Sequence, residues 1–347
     1  MSLARGTFNQ SYAQDMAILR TKTQWVTLLA FLAFLFTCPL FIGETWLTLM
    51  IIIGISVISV QGLNILTGYC GQISLGHTGF MLAGGYTSAI LCDKLGFSFW
   101  AALPCAALVA GLVGLIFGLP SLRVKGFYLI MATVAAYFII AWVIFQSYGG
   151  AFGLTAPRPE ILGMVLKSNA SYFYVVMIIA CLATLAAANI VRSRVGRAFI
   201  AIRDNDLAAE VMGINIWAYK LLAFFIGCVF AGVAGSLQAH YCGWASIEIF
   251  PFLDSIWYLG MLIVGGMGSI SGAILGAVSL RLLDYLVTIA APMLAAAFPA
   301  IAPQAAASLS LIMRGLVIIV FLIFEPRGLA HLWERIKAYF RLWPFSH

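Results

Sequence analysis

Apolar runs of roughly bilayer-crossing length, separated by short polar breaks, dominate this chain. A spanning helix needs about 20 mainly apolar residues. Trp25–Ile42, Trp46–Leu66, Thr78–Cys92, Phe99–Leu119, Phe127–Gln146, Tyr172–Val191 and Leu221–His240 fit that length. Ile256–Leu280, Leu283–Ile301 and Ser308–Phe324 follow. The third run is short, and Pro292, Pro299 and Pro303 crowd the ninth. The pattern predicts an all-α polytopic membrane bundle of eight to ten segments, some interrupted by glycine. It divides the chain into a polar lead (1–24), a membrane domain (25–325) and a tail (326–347).

Composition removes the soluble alternatives. Of 347 residues, 63% are hydrophobic and 9% are charged, against about 25% charged in an average soluble domain. Mean hydropathy is +1.04. Disorder, a collagen-like chain and an ordinary cytosolic enzyme are excluded. The seven cysteines are scattered, mostly inside apolar runs, and form no CxxC pair. They read as small apolar packing residues, neither a disulfide frame nor a zinc site. The long polar lead and the absence of a cleavage site after the first run argue against a secretion signal.

The 19 basic against 12 acidic residues do not point to nucleic acid, because basic residues gather in the cytoplasmic loops of membrane proteins. Alternating the spans puts 15 basic residues on one side, among them Arg123, Lys125, Arg192, Arg203, Lys220, Arg281 and Arg335. Lys94, Arg158, Lys167 and Arg314 fall on the other. The first side is then cytoplasmic and carries both termini, the loop 192–220 and the tail, where His331–Trp343 has the pattern of an amphipathic surface helix.

Polarity enters the membrane in one unusual stretch. Gly68, Gly71, Gly76 and Gly79 alternate there with Asn64, Gln72, Ser74, His77 and Thr78. If 73–81 is helical, Ser74, His77, Thr78 and Met81 share one face. A polar face in a bilayer turns to the bundle interior or to a water-filled path. Two readings stay open: hydrogen-bonded glue between helices, or direct lining of a translocation pathway by Asn64, Gly68, Gln72, Ser74, His77 and Thr78. A second cluster, Gly265, Gly266, Gly268, Gly272 and Gly276, has small-xxx-small spacing suited to close helix packing. A dinucleotide fold is rejected because Ser271 stands at the third glycine position and no strand precedes the cluster.

Catalytic constellations are missing. No G-x-S-x-G, H-E-x-x-H or Gly-Lys-[Ser/Thr] occurs, so no catalytic residue, metal ligand or cofactor is assigned, and any ATP must be bound by another polypeptide. The loop Arg192–Lys220 is too polar to span. Asp204 and Asp206 suit the start of a short helix and Gly213 its end. Leu207, Ala208, Val211 and Met212 make one small apolar face, of the kind that seeks a groove on a soluble partner. A helix lying flat on lipid is the alternative.

These residues also carry a family resemblance. The chain resembles the LivM-type permease subunits of ABC importers for branched-chain amino acids. The matching pieces include Leu66-Thr-Gly-Tyr-Cys-Gly-Gln-Ile-Ser-Leu-Gly-His77, Leu122-Arg-Val-Lys-Gly-Phe-Tyr-Leu129 and Gly196-Arg-Ala-Phe-Ile-Ala-Ile-Arg203. Ala208-Ala-Glu-Val-Met-Gly-Ile214, Gly265-Gly-Met-Gly-Ser269 and Pro326-Arg-Gly-Leu329 follow in order. The resemblance implies a second, LivH-like permease sharing the pathway, two ABC ATPase subunits and a periplasmic substrate-binding protein, all in or at a bacterial inner membrane. Ala208-Ala-x-x-x-Gly213 looks like the coupling loop of importer permeases, with Leu207 where the family pattern has an acid. The implied coupling set is Gly196, Arg197, Arg203, Leu207, Ala208, Ala209, Met212 and Gly213. Loop Tyr148–Leu154 matches only loosely, so urea, short amides and aromatic acids stand beside branched-chain amino acids as substrates. A self-contained secondary transporter is the distant alternative. It would usually carry intramembrane charges for ion coupling, and the sequence pattern places nearly none.

Overall fold

The computed structural model describes residues 22–121, 126–148, 153–161, 164–165, 168–297 and 328–342, with isolated positions between 312 and 323. Most of the lead 1–24, the motif positions 122–125, residues 149–152 of the Tyr148–Leu154 loop, Lys167, Arg314, Pro326 and most of Ser308–Phe324 lie outside the described residues.

The first helix, α1 (Lys22–Thr37), runs into a short 3-10 turn at Cys38–Leu40. Next come α2 (Glu44–Leu63), which continues as a π-helical turn over Asn64–Tyr69, then α3 (His77–Asp93), α4 (Phe99–Ser121) and α5 (Phe127–Tyr148). The short strands β1 (Leu154–Thr155), β2 (Glu160–Ile161) and β3 (Met164–Val165) precede α6 (Asn169–Arg192). Helices α7 (Arg194–Asp204) and α8 (Asp206–Val211) fill the polar loop before α9 (Ile216–Cys242). The chain continues through β4 (Trp244–Ala245), α10 (Phe252–Gly265) and α11 (Ile270–Ala297) to α12 (Leu329–Leu342). Seven helical stretches among the described residues are long and apolar enough to cross a membrane, which makes this an all-α polytopic membrane protein.

Helix α9 lies at the centre, packed along α3, α4 and α2. A Cβ at Gly84 of α3 would collide with the backbone of Gly232 on α9, so the two helices meet backbone to backbone. Close approach of this kind replaces the hydrophobic driving force that lipid does not supply. The most apolar 18-residue window of α2 is 83% buried within the chain, against 28% for those of α5 and α6, so α2 is a core helix and α5 and α6 are peripheral.

Three expectations are corrected. The run Ile256–Leu280 is not one helix. It breaks at Gly266–Ser269, where Gly266 and Gly268 have φ of 112° and 75°, and Ser269 Oγ caps the next helix by accepting from Gly272 N at 3.1 Å. The predicted boundary near residue 282 lies inside α11, so Arg281 belongs to a helix and not to a loop. Pro292 also lies within α11. Secondly, α3 starts at His77, and 71–76 is not helical, so Ser74 does not share a helical face with His77 and Thr78. Thirdly, Gly268 lies in the turn, so Gly268 and Gly272 are not one turn apart on a helix; Gly265, Gly272 and Gly276 form the contact, a Cβ at Gly265 falling 3.0 Å from Gly276 Cα.

Candidate functional site

The polar groups buried in the bundle fall into three clusters, taken here from the α7–α8 end to the opposite end. At the α7–α8 end, α2 stops being α-helical. The π turn ends with Cys70 N donating to Ile65 O at 3.2 Å and Gly71 N to Thr67 O at 3.2 Å. Gly71, at φ 74°, turns the chain out of the helix, as a left-handed residue does past a helix C-terminus. Asn64 then joins this turn to the α10–α11 break: its Nδ2 donates to Ser269 O at 3.0 Å, and its Oδ1 accepts from Gly268 N at 2.9 Å. One turn earlier, Gln61 Nε2 donates to Ile270 O at 3.1 Å. A side chain at Gly68 would strike Asn64 and the backbone of Gly268, so the two breaks are in direct contact.

Residues 71–76 form an irregular, non-helical link between the π turn and α3. Irregular backbone at membrane depth survives only where protein or a water-filled cavity covers it. Gln72 and Ser74 are buried while Gly71 and Ile73 are exposed. Thr67 Oγ donates to Gln72 O at 2.9 Å, and Leu75 N donates to Thr133 Oγ of α5 at 3.1 Å. Gln72 Oε1 and Ser74 Oγ are buried with no partner among the described residues.

The middle cluster centres on Tyr258. His77 is 1% exposed. Its Nε2 donates to Ser59 O at 3.1 Å, since a carbonyl only accepts, and its ring meets Tyr258 edge-on at 6.4 Å. Thr78 N and Oγ both bond Ser255 Oγ, at 3.1 and 2.5 Å. Arg281 Nε donates to Ser56 Oγ at 2.8 Å and its Nη2 to Tyr258 OH at 3.3 Å. Its Nη1 lies 3.8 Å from Asp284 Oδ2, with the two side chains 13% and 18% exposed. The hydropathy pattern missed this intrahelical ion pair because it put Arg281 at a span boundary. The signal present was Asp three residues after Arg, one helical turn apart.

At the opposite end, His240 closes a chain of hydrogen bonds. Ser236 Oγ donates to Ser88 Oγ at 2.8 Å, Ser88 Oγ meets His240 Nε2 at 2.8 Å, and His240 Nδ1 donates to Pro157 O at 2.6 Å. This pins the 153–161 loop onto α3 and α9. The β1–β4 pairing, Leu154 opposite Ala245 and Thr155 opposite Trp244, and the Thr155 hydroxyl on the Asp93 carboxylate hold the same loop.

The polar loop forms two helices, of which the sequence reading anticipated only α8. Buried Ala198, Phe199 and Ile202 give α7 an apolar stripe of helical spacing that would have revealed it. A Cβ at Gly196 would run into the Val191 carbonyl, which makes the α6–α7 corner tight. Arg197 is exposed, its Nη1 3.4 Å from Arg192 O. The cap of α8 is neither aspartate: Asn205 Oδ1 accepts from Ala208 N at 3.1 Å. Gly213, at φ 82°, provides the exit turn. Leu207, Val211 and Met212 are 68%, 88% and 81% exposed, and Ala208 is exposed beside them. Ala209 differs: at 3% exposure it is buried against its own chain. A cavity of about 400 Å³ lies alongside, lined by Asp206, Leu207, Glu210, Trp217 and Lys220 among others. Lys220 Nζ lies 3.8 Å from Asp206 Oδ2. Among the described residues no group of three His, Cys, Asp or Glu is placed to hold a metal ion.

Comparison with known proteins agrees with this architecture. The family model for the permease component of branched-chain amino acid transport systems matches residues 44–322. The high-affinity branched-chain amino acid permease protein LivM of Escherichia coli K12 is 30% identical over 287 residues, covering 75% of this chain and 68% of that protein. A probable LivM of Methanocaldococcus jannaschii is 26% identical over 234 residues, covering 66% of this chain and 67% of that one. The LivH permease protein of Escherichia coli K12 is 34% identical over 113 residues, or 32% of this chain and 36% of its own. With a family model spanning α2 to the last apolar run and a LivM relative matching over three quarters of its length, the chain belongs to the branched-chain amino acid transport permease family, as a LivM-type member.

Proposed function

We propose that this chain is the LivM-type subunit of a bacterial inner-membrane ABC importer for branched-chain amino acids. It forms the pathway with a LivH-like permease. Two separate ATPases sit below the pair of permeases, on the α7–α8 side of this chain, and a periplasmic binding protein delivers substrate to the opposite end. The loop 192–220 and both termini are cytoplasmic, as the basic asymmetry requires.

The observation that supports this reading most is α8. A six-residue helix, capped at both ends, turns one face away from the bundle, with Leu207, Val211 and Met212 exposed beside Ala208. Exposed apolar side chains on a rigid, short element suit insertion into a groove of a soluble partner. Ala209 serves the same interface from behind, by seating α8 on its own chain. The pathway wall is the stretch that contains Asn64, Gly68, Gln72, Ser74, His77 and Thr78. Asn64, Gly68, His77 and Thr78 set its shape, while Gln72 and Ser74 supply the polar atoms not yet engaged.

Purification of the chain with the second permease and both ATPases, reconstitution in vesicles and uptake with a loaded binding protein test the proposal. ATP-dependent leucine uptake is expected. Uptake without ATPases would make it a secondary carrier, and uptake of urea, a short amide or an aromatic acid in preference to leucine would reassign the substrate.

A further inference from the structure

The side chain of Arg203, 37% exposed, folds back onto its own chain from two residues before the cap of the exposed helix. Its Nη1 donates to Gly68 O at 2.9 Å. Its Nε and Nη2 both lie 3.0 Å from Asp204 Oδ1. Two glycines form the seat. A Cβ at Gly71 would stand 3.1 Å from Arg203 Cγ, and one at Gly268 would stand 2.8 Å from Nη1. Gly71 and Gly268 are in the left-handed region, at φ 74° and 75°. A single side chain thus touches both breaks, the π-helical end of α2 and the α10–α11 turn, and its backbone leads into α8 through Asp204 and Asn205.

We infer that Arg203 is the strut that transmits displacement of α8 to the two helix breaks, making it a positioning residue for the transport step and not an ATPase contact. Among the described residues, the π-helical end of α2 and the α10–α11 turn are places where helical geometry gives way inside the bundle. The Asn64 bonds to Gly268 and Ser269 oblige them to move together. Coupling between sites needs a contiguous element that has two arrangements and is gripped from both sides. Arg203 supplies the grip: a planar head with several fixed donors holds a carbonyl and a carboxylate at once, in a fork geometry that a lysine ammonium lacks. The inference rests on the reading that α8 carries the ATPases.

The test uses the assembled importer with loaded binding protein, measuring leucine taken up per ATP hydrolysed together with ATPase content. Arg203→Met is expected to keep the ATPases bound and to lower the uptake-to-hydrolysis ratio about tenfold, within the range usual for coupling between sites. Arg203→Lys keeps the charge but not the fixed fork of donors, so it assembles and its ratio falls between the two. A wild-type ratio in Arg203→Met overturns the inference. If that variant does not assemble, Arg203→Lys decides, and a wild-type ratio there overturns it equally. Failure of both variants to assemble would make Arg203 a structural tie only. Failure of the underlying reading looks different: ATPases would stay bound when Val211 is replaced by Glu, whatever Arg203 does.

Discussion

Around Tyr258 the chain buries charge and satisfies it from within. Arg281 reaches Ser56, Tyr258 and Asp284, and His77 reaches Ser59. On α8 the chain does the reverse, holding Leu207, Val211 and Met212 in the open at the end of a capped helix. The first region takes its named partners from one chain, on α2, α3, α10 and α11. On the proposed function, the second is completed by a partner. Damage to the first should therefore appear as loss of the folded subunit. Damage to the second should leave the subunit intact and remove a partner.

Four substitutions and one rescue change sharpen that contrast, the four ordered by their expected effect on the isolated subunit in detergent. Arg281→Met leaves Asp284 buried without the arginine and should cost about 3–5 kcal/mol, read as lost yield and a lowered Tm. Adding Asp284→Asn should restore much of it, because joint removal spares the buried charge; no recovery would mean that the pair does more than neutralise itself. His77→Leu takes the donor from Ser59 O and should cost about 1–3 kcal/mol. A variant with normal Tm but slowed uptake would instead assign His77 to the solute path. Asn205→Ala removes the cap of α8 and should cost about 1 kcal/mol, confined to protection of the 205–212 amides in hydrogen exchange. Val211→Glu, at 88% exposure, should change Tm by less than about 0.5 kcal/mol in stability terms while the ATPases no longer co-purify. If they do, the comparison between a self-sufficient and a partner-dependent region fails at its second half.

The two alanines of the coupling motif make the comparison finer. Ala208→Glu should act like Val211→Glu, because both side chains are exposed. Ala209→Arg should act like a core lesion, because Ala209 is buried. Sequence spacing placed both in one motif, and only the rotation of α8 against α7 and α9 separates them.

Much of the architecture was legible because the bilayer imposes a length and a polarity on each helix. The apolar runs predicted α1 to α6 and α9 to within a few residues, and Gly213 announced its turn by chemistry that no other residue matches as well. The glycine clusters marked where helices break or touch, though not which of the two. Gly276 has helical φ and packs on Gly265, whereas Gly268 has positive φ and ends a helix; the sequence spells both the same way. Partnerships across the bundle were not legible at all. Arg281 and Ser56 are 225 residues apart, Arg203 and Gly68 are 135 apart, and nothing local in either segment specifies the other. Hydropathy, caps and glycine positions act over one or two helical turns, so the sequence alone determined the helices, their ends and the membrane as solvent. Which buried polar group meets which depends on how helices rotate and slide against one another. The packing of all of them decides that at once, and only the tertiary structure contains it.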